Sequence, residues 1–244
     1  MLNHRIQGKG TTCVFLHGFL ESMSMWNYIP VSELNTTNIF IDLPGHGDSS
    51  LDDKQEPSIE FMAAEVEKVL IQQNVEKFHV VGHSMGGYVA LMLKAKMPNC
   101  EKVILLNSNY WADSKTKQSD RDRVSKIAYK AKDYFLLEAI PNLFSNRKKY
   151  SKEIQQLIEE AKGISSEAIA YASLAMKNRK DFSALLNQED FIILHGVLDN
   201  FVQTGQYNRE LIGESHFYEI PEAGHMSHIE NSVKVLNTLK KYLN

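Results

Sequence analysis

The residues from Phe78 to Lys94 restrict the choice of fold more than any other stretch of the chain. An apolar run, Phe78-His79-Val80-Val81, leads into Gly82-His83-Ser84-Met85-Gly86-Gly87, and a helix-like run, Tyr88-Val89-Ala90-Leu91-Met92-Leu93-Lys94, leads out. The backbone must reverse from strand to helix within about two residues. That reversal forces Ser84 into a strained conformation, and the flanking glycines remove the side chains that would clash there. The serine oxygen then stands at the C-terminal edge of a sheet, at a helix N-terminus whose dipole favours developing negative charge. G-x-S-x-G alone is common by chance. Between a strand and a helix, and followed by a second glycine, it reads as a nucleophile elbow.

Strand and helix alternate along the chain, which predicts a mostly parallel sheet of about seven strands flanked by helices. Strand-like runs cover residues 13–16, 38–41, 78–81, 103–106, 191–194 and 216–220. A short strand near residues 2–6 fits the pattern, but little chain precedes it, so a first antiparallel strand is expected to be missing. Ser58 is placed as an N-cap for a helix whose apolar stripe is Ile59, Met62, Ala63, Val66, Val69 and Leu70. A last helix over residues 233–243 closes the sheet. With 244 residues and 43% apolar content, the chain can bury a full core as one α/β domain.

Between residues 106 and 191 the pattern changes. Residues 119–180 are charged and poor in strands, with three helical stretches. Val124, Ile127, Ala128, Ala131 and Phe135 recur at helical spacing, as do Ile154, Leu157, Ile158 and Ala161, with Ser151 as a cap and Gly163 as a stop. Pro141 separates these two, and a third run covers residues 166–179. Their apolar stripes are expected to pack on the body and on each other, and Arg147-Lys148-Lys149 to form a solvated turn.

A serine nucleophile needs a base, and the base needs an orienting acid. Downstream, Phe191-Ile192-Ile193-Leu194-His195 leads to Gly196-Val197-Leu198-Asp199, and His216-Phe217-Tyr218-Glu219-Ile220 leads to Pro221-Glu222-Ala223-Gly224-His225. Asp199 and His225 thus fall on loops after strands, at the sheet edge where Ser84 stands. Even alone, Ser84 reads less well as a structural turn serine than as a nucleophile, and an acid and a histidine following in order make a catalytic set the better reading still.

In these motifs, together with Leu16-His17-Gly18-Phe19 and Asp42-Leu43-Pro44-Gly45-His46-Gly47-Asp48-Ser49, the chain resembles the α/β-hydrolase superfamily, in its compact group with a helical cap. The resemblance implies Ser84 as nucleophile, His225 as general base, Asp199 as acid, and the Phe19 and Met85 backbone N–H groups as the oxyanion hole. It implies a hydrolase core over residues 1–109 and 188–244, and a cap, or lid, over residues 110–187. Two departures stand out. Leu20 occupies the place of the second glycine in His-Gly-x-Gly, so the oxyanion loop is expected to be shaped differently. Asn200-Phe201-Val202 follows the acid where many relatives carry proline.

Other polar residues have structural readings. His17 is placed to hold the oxyanion loop by a hydrogen bond, His46 to support a glycine-flanked turn, and Asp42 to cap that turn. His83 should point away from the nucleophile and pack. Trp26, Tyr110, Trp111 and Met226 are candidates to line the pocket. His225 and His228 lie at i, i+3 without a third ligand, so no metal site is expected, and the chemistry needs no cofactor.

The net charge of −3 gives no reason to expect a nucleic acid or an anionic membrane as partner. No stretch approaches the roughly 18 apolar residues that span a bilayer, and residues 1–12, polar apart from Leu2 and Ile6, lack a signal-peptide core. Cys13 and Cys100 read as free thiols of a reducing compartment, the cytoplasm. The expected partner is a small molecule, with a small to medium carboxylic ester cleaved through an acyl-enzyme. Serine rather than aspartate at the elbow argues against dehalogenase or epoxide hydrolase chemistry. Two alternatives stay open. One is a pyruvate-eliminating lyase of the menaquinone-pathway type, for whose polyanionic substrate Arg121 and Arg123 would serve, although Tyr88 stands where a basic residue would have supported it. The other is a small-molecule receptor that keeps the triad for binding.

Overall fold

The computed structural model describes residues 1–52 and 54–244. Seven strands among them form one sheet in the order β1-β3-β2-β4-β5-β6-β7. They are β1 (His4–Gly8), β2 (Thr11–Leu16), β3 (Thr36–Ile41), β4 (Phe78–His83), β5 (Cys100–Leu106), β6 (Phe191–Gly196) and β7 (Phe217–Ile220). β1 pairs antiparallel with β3 and every other pair is parallel. The expectation of a missing antiparallel strand is therefore corrected: the short N-terminal run forms it, on an edge where its polar residues stay accessible.

The inner strands are apolar on both faces, as a covered parallel sheet requires. Alternate residues divide between two cores. Val14, Leu16, Val80, Val103, Leu105 and Ile193 face one layer, with helices α1 (Ile59–Gln72) and α2 (Met85–Lys96). Cys13, Phe15, Val81, Ile104, Leu106 and Ile192 face the other, which the C-terminal helix seals with Val235, Leu236, Leu239 and Leu243. The α1 stripe is buried as its spacing predicted, and the Ser58 hydroxyl accepts from Phe61 N–H at 3.1 Å. Both cysteines are free and buried. Burial raises the Cys13 thiol pKa and pushes that of Cys100 up to about 12, and the thiolate is the reactive form. Folded protein is therefore expected to resist iodoacetamide at neutral pH, while protein unfolded in guanidinium takes up two equivalents; stoichiometric labelling of the folded form would contradict this burial.

Four helices lie between β5 and β6: α3 (Lys115–Lys130), α4 (Lys132–Ala139), α5 (Ser151–Lys162) and α6 (Ser166–Lys177). The run predicted to be one helix from Val124 to Phe135 is broken at Ala131, whose backbone leaves the helical region (φ −156°, ψ 52°). Ser151 is the first residue of α5 rather than its cap; Tyr150 precedes the helix and accepts from Ile154 N–H with its carbonyl. Helix α6 joins two cores. Ala168, Ile169 and Ala170 pack with Ala128, Leu136, Ile154 and Leu157, whereas Tyr171, Ala172, Ala175 and Met176 belong to the core of the body. Arg147, Lys148 and Lys149 are exposed. Two single-turn helices, α7 (Arg209–Ile212) and α8 (Ser227–Glu230), and then α9 (Ser232–Leu243) complete the chain. Among the described residues no helix is long and apolar enough to cross a membrane.

Candidate active site

The turn from β4 to α2 holds Ser84 at φ 47°, ψ −112°, a conformation that costs a non-glycine residue about 1–3 kcal/mol. It is held from both sides: Ser84 N–H donates to Leu106 O at 3.0 Å, and the Ser108 hydroxyl donates to Ser84 O at 2.7 Å. The glycines are needed for close approach. A Cβ on Gly82 would lie 2.4 Å from Gly86 O, and one on Gly86 would lie 2.4 Å from Leu16 O.

The loops after β6 and β7 bring Asp199 and His225 to this turn. His225 Nε2 is 2.9 Å from Ser84 Oγ, and His225 Nδ1 is 2.8 Å from Asp199 Oδ2. An ionised carboxylate only accepts, so Nδ1 carries the proton and Nε2 is left to accept from the serine hydroxyl. Burial alone would raise the Asp199 pKa. The neighbouring His225, with hydrogen bonds from Asn107 and from Phe201 N–H, outweighs it and holds the carboxyl well below the usual range. Asp199 Oδ1 accepts from Phe201 N–H at 2.7 Å and Val202 N–H at 3.1 Å. Here the departure from the family pattern has a use, because a proline at either position would remove one donor.

Asn107, at the end of β5, was not anticipated. Its amide donates to Asp199 Oδ2 at 2.9 Å and to Gly224 O at 3.0 Å, tying the loop of the acid to the loop of the histidine. Its φ of 46° is one of the few left-handed values outside glycine, and a polar residue after an apolar strand was its sole signal.

The N–H groups of Phe19 and Met85 have no acceptor among the described residues. Leu20 adopts φ 66°, in the left-handed region that favours glycine. Leucine accepts this strained conformation, and its side chain is buried with Ala128, Leu136 and Met226. That burial, worth about 1.5–3 kcal/mol, offsets the strain. His17 holds the loop as expected: Nε2 accepts from Leu43 N–H at 2.9 Å, which leaves Nδ1–H to donate to Gly18 O at 2.7 Å. His46 faces Pro44 O within its turn. Asp42 accepts from Met23 N–H, Asp48 N–H and the Asn3 amide, as a turn cap should. His83 is buried as expected, but both of its ring nitrogens face partners, Glu21 Oε2 and His225 O.

Ser84 and His225 open onto a cavity of about 600 Å³ between the sheet edge and α3, α4 and α6. Phe19, Trp111, Val124, Phe135 and Met226 give it apolar walls. Two pocket candidates are corrected. Trp26 does not line it: a 3-10 turn, Met23–Tyr28, lays its indole against Phe15 in the body, ring centroids 5.1 Å apart. Tyr110 packs beneath Trp111 and Tyr207, its hydroxyl accepting from Asn208 N–H. The sequence reading missed Arg179, whose guanidinium lies 4.0 Å from the centre of the Tyr88 ring and pairs with Asp113 Oδ1 at 2.5 Å. Arg121 Nε takes the other Asp113 oxygen at 3.1 Å, so two cations share one carboxylate in the wall.

A serine hydroxyl in hydrogen-bond contact with an imidazole that a buried carboxylate backs is the arrangement that nucleophilic catalysis requires. Comparison with known proteins places the arrangement. The chain is 26% identical over 242 residues to a 2-succinyl-6-hydroxy-2,4-cyclohexadiene-1-carboxylate synthase of Escherichia fergusonii, covering 94% of this chain and 92% of that protein. A probable lysophospholipase of Arabidopsis thaliana, BODYGUARD 5, is 39% identical over 111 residues, 42% of this chain and 25% of that one. In fold, a thermophilic esterase from Thermogutta terrifontis superposes with a TM-score of 0.89 at 24% identity, over 99% of this chain and 92% of the other. The family model described as "Alpha/beta hydrolase family" matches residues 13–238, a span that runs from β2 past the elbow and both loops into the last helix, and by that match the chain belongs to the alpha/beta hydrolase family.

Proposed function

We propose that the chain is a serine hydrolase of small to medium carboxylic esters, acting in the cytoplasm without a cofactor. The observation that carries the reading is the unbroken hydrogen-bonded path Ser84–His225–Asp199, opening onto a cavity with Phe19, Trp111, Val124, Phe135 and Met226 in its wall. His225 Nε2 takes the proton of Ser84 as Oγ bonds to the acyl carbon, and the carbonyl π electrons move onto oxygen. Phe19 and Met85 N–H groups receive that oxyanion, at about 3 kcal/mol per donor. As the tetrahedral adduct collapses, His225 gives the proton to the departing alkoxide. Water then attacks the acyl-enzyme, His225 removes its proton, and collapse returns the proton to Ser84 and releases the acid. Residues 110–187 serve as the cap that selects the substrate, since Val124, Phe135 and Arg179 contribute to the cavity wall.

The lyase reading keeps one specific support. Arg121, Arg123 and Arg179 line the cavity, and Arg179 brings a guanidinium to the place where Tyr88 counted against a polyanionic substrate. Asp113 pairs with both Arg179 and Arg121, however, and Asp120 adds a second carboxylate to the wall, so the cations there are partly offset. Turnover of short-chain p-nitrophenyl esters, beside pyruvate release from the enolpyruvyl precursor of 2-succinyl-6-hydroxy-2,4-cyclohexadiene-1-carboxylate, separates the readings. Ester turnover without pyruvate is the expected result. Pyruvate release without ester turnover would replace the hydrolase by the lyase, and tight ligand binding with neither activity would favour the receptor.

A further inference from the structure

Behind Ser84, Asp199 and His225 lies a second polar cluster that the proposed reaction leaves unused. Glu21, His83 and His228 are exposed by 3%, 1% and 0%. His83 Nδ1 lies 2.7 Å from Glu21 Oε2, and His83 Nε2 lies 2.9 Å from the carbonyl oxygen of His225. Gly18 N–H donates to the same Glu21 oxygen at 2.7 Å. A carbonyl and an ionised carboxylate are both pure acceptors. A neutral imidazole has one N–H and would turn a lone pair toward one of them; an imidazolium satisfies both. The contact is also too short for a shared metal ion, because bonds of about 2.0–2.2 Å meeting at a tetrahedral angle hold ligand atoms further apart.

The surroundings favour the charge separation. Burial opposes a charged His83, but the Glu21 carboxylate and the His225 carbonyl raise its pKa above the ordinary value. Burial would likewise raise Glu21, yet His83 beside it holds the carboxyl down at about 2. Five titratable groups bear on the His83 ring: Glu21, His225, Asp199, His228 and His17. Asp199 is committed to His225, and burial drives His228 down to about 3, so it is neutral. The pair also sits tightly against bare backbone, because a Cβ on Gly18 would lie 2.3 Å from Glu21 Oε2 and 2.7 Å from His83 Nδ1.

We infer that Glu21 and His83 form a buried carboxylate–imidazolium pair that fixes the oxyanion loop and the His225 loop relative to one another. Glu21 grips Gly18 N–H, one residue before the Phe19 donor. His83 grips the His225 backbone and immediately precedes Ser84. Both are positioning residues, and their kinetic effect rests on the hydrolase reading.

The test begins with the unmodified protein. In ¹H–¹⁵N spectra of the histidine rings at about pH 8, above the ordinary imidazole pKa of about 6.5, both His83 ring nitrogens should carry protons. Glu21→Gln should leave one of them bare and lower kcat for p-nitrophenyl acetate on the order of 10- to 100-fold, with KM little changed. Glu21→Asp, which keeps the charge, should restore the doubly protonated ring and most of kcat. A neutral His83 in the unmodified protein, wild-type kcat in Glu21→Gln, or stoichiometric zinc in the purified protein would each overturn the inference. The ring measurement needs no substrate, so its outcome is independent of whether esters are turned over.

Discussion

Ser84→Ala is expected to lower ester turnover on the order of 10⁶-fold, the loss typical when a serine nucleophile acting with its base is removed. The melting temperature should hardly move. The substitution deletes one oxygen, and alanine has the same Cβ in the strained φ 47° backbone as serine. The backbone bonds that hold the turn, from Ser84 N–H to Leu106 O and from the Ser108 hydroxyl to Ser84 O, do not involve the deleted atom. A fluorophosphonate probe should label the unmodified protein at Ser84 and leave the variant unlabelled. Near-normal turnover in folded Ser84→Ala protein would remove Ser84 from the role of nucleophile and the hydrolase mechanism with it.

Asp199→Asn should cost about 10⁴-fold in kcat, because the amide favours the wrong imidazole tautomer. It should also cost stability. The new amide nitrogen must face either the Asn107 amide or the N–H groups of Phe201 and Val202, all of them donors, at about 1–3 kcal/mol for an unsatisfied buried group. Asp42→Asn meets the same conflict with Met23, Asp48 and Asn3, so a similar loss of stability is expected there with kcat nearly unchanged. Stability therefore does not separate the two acids, and kcat does. The pH dependence adds a signature. The Asp199 carboxyl is depressed on folding, so its stabilisation is complete above the unfolded value of about 4 and is lost as pH falls towards the folded value. The stability gap between unmodified protein and Asp199→Asn should accordingly shrink below about pH 4. A large kcat loss in Asp42→Asn, with Asp199→Asn active, would move the acid to Asp42.

Residues that follow an apolar strand and precede a glycine-rich or polar loop were legible in the sequence, because a parallel sheet delivers every such residue to one edge. That logic found Ser84, Asp199 and His225, whose side-chain contacts the structure then supplied. It could not find Asn107, Glu21 or Arg179, which matter through partners far along the chain: Asn107 through Asp199, Glu21 through His83, Arg179 through Asp113 and Tyr88. Trp26 was misplaced because closeness to the oxyanion motif in sequence says nothing of direction, and one 3-10 turn directs the indole into the body. The break at Ala131 was invisible for a related reason: an apolar stripe reports which residues seek cover, whereas here Val124 and Phe135 line the cavity and impose no continuous helix. The left-handed backbone of Leu20 was not legible either, since leucine rarely occupies that region.

Leu20 couples two traits that a protein engineer would prefer to tune separately. Its backbone shapes the loop carrying the Phe19 amide, while its side chain is a core residue of the helices over the cavity. Reshaping those helices to admit a new substrate repacks Ala128, Leu136 or Met226 and so removes the burial that makes a left-handed leucine tolerable. Libraries confined to residues 110–187 should therefore yield altered selectivity together with slower chemistry. Improved variants should repeatedly pair a substitution within residues 110–187 with Leu20→Gly, which takes up the same backbone conformation without needing anything to pack against.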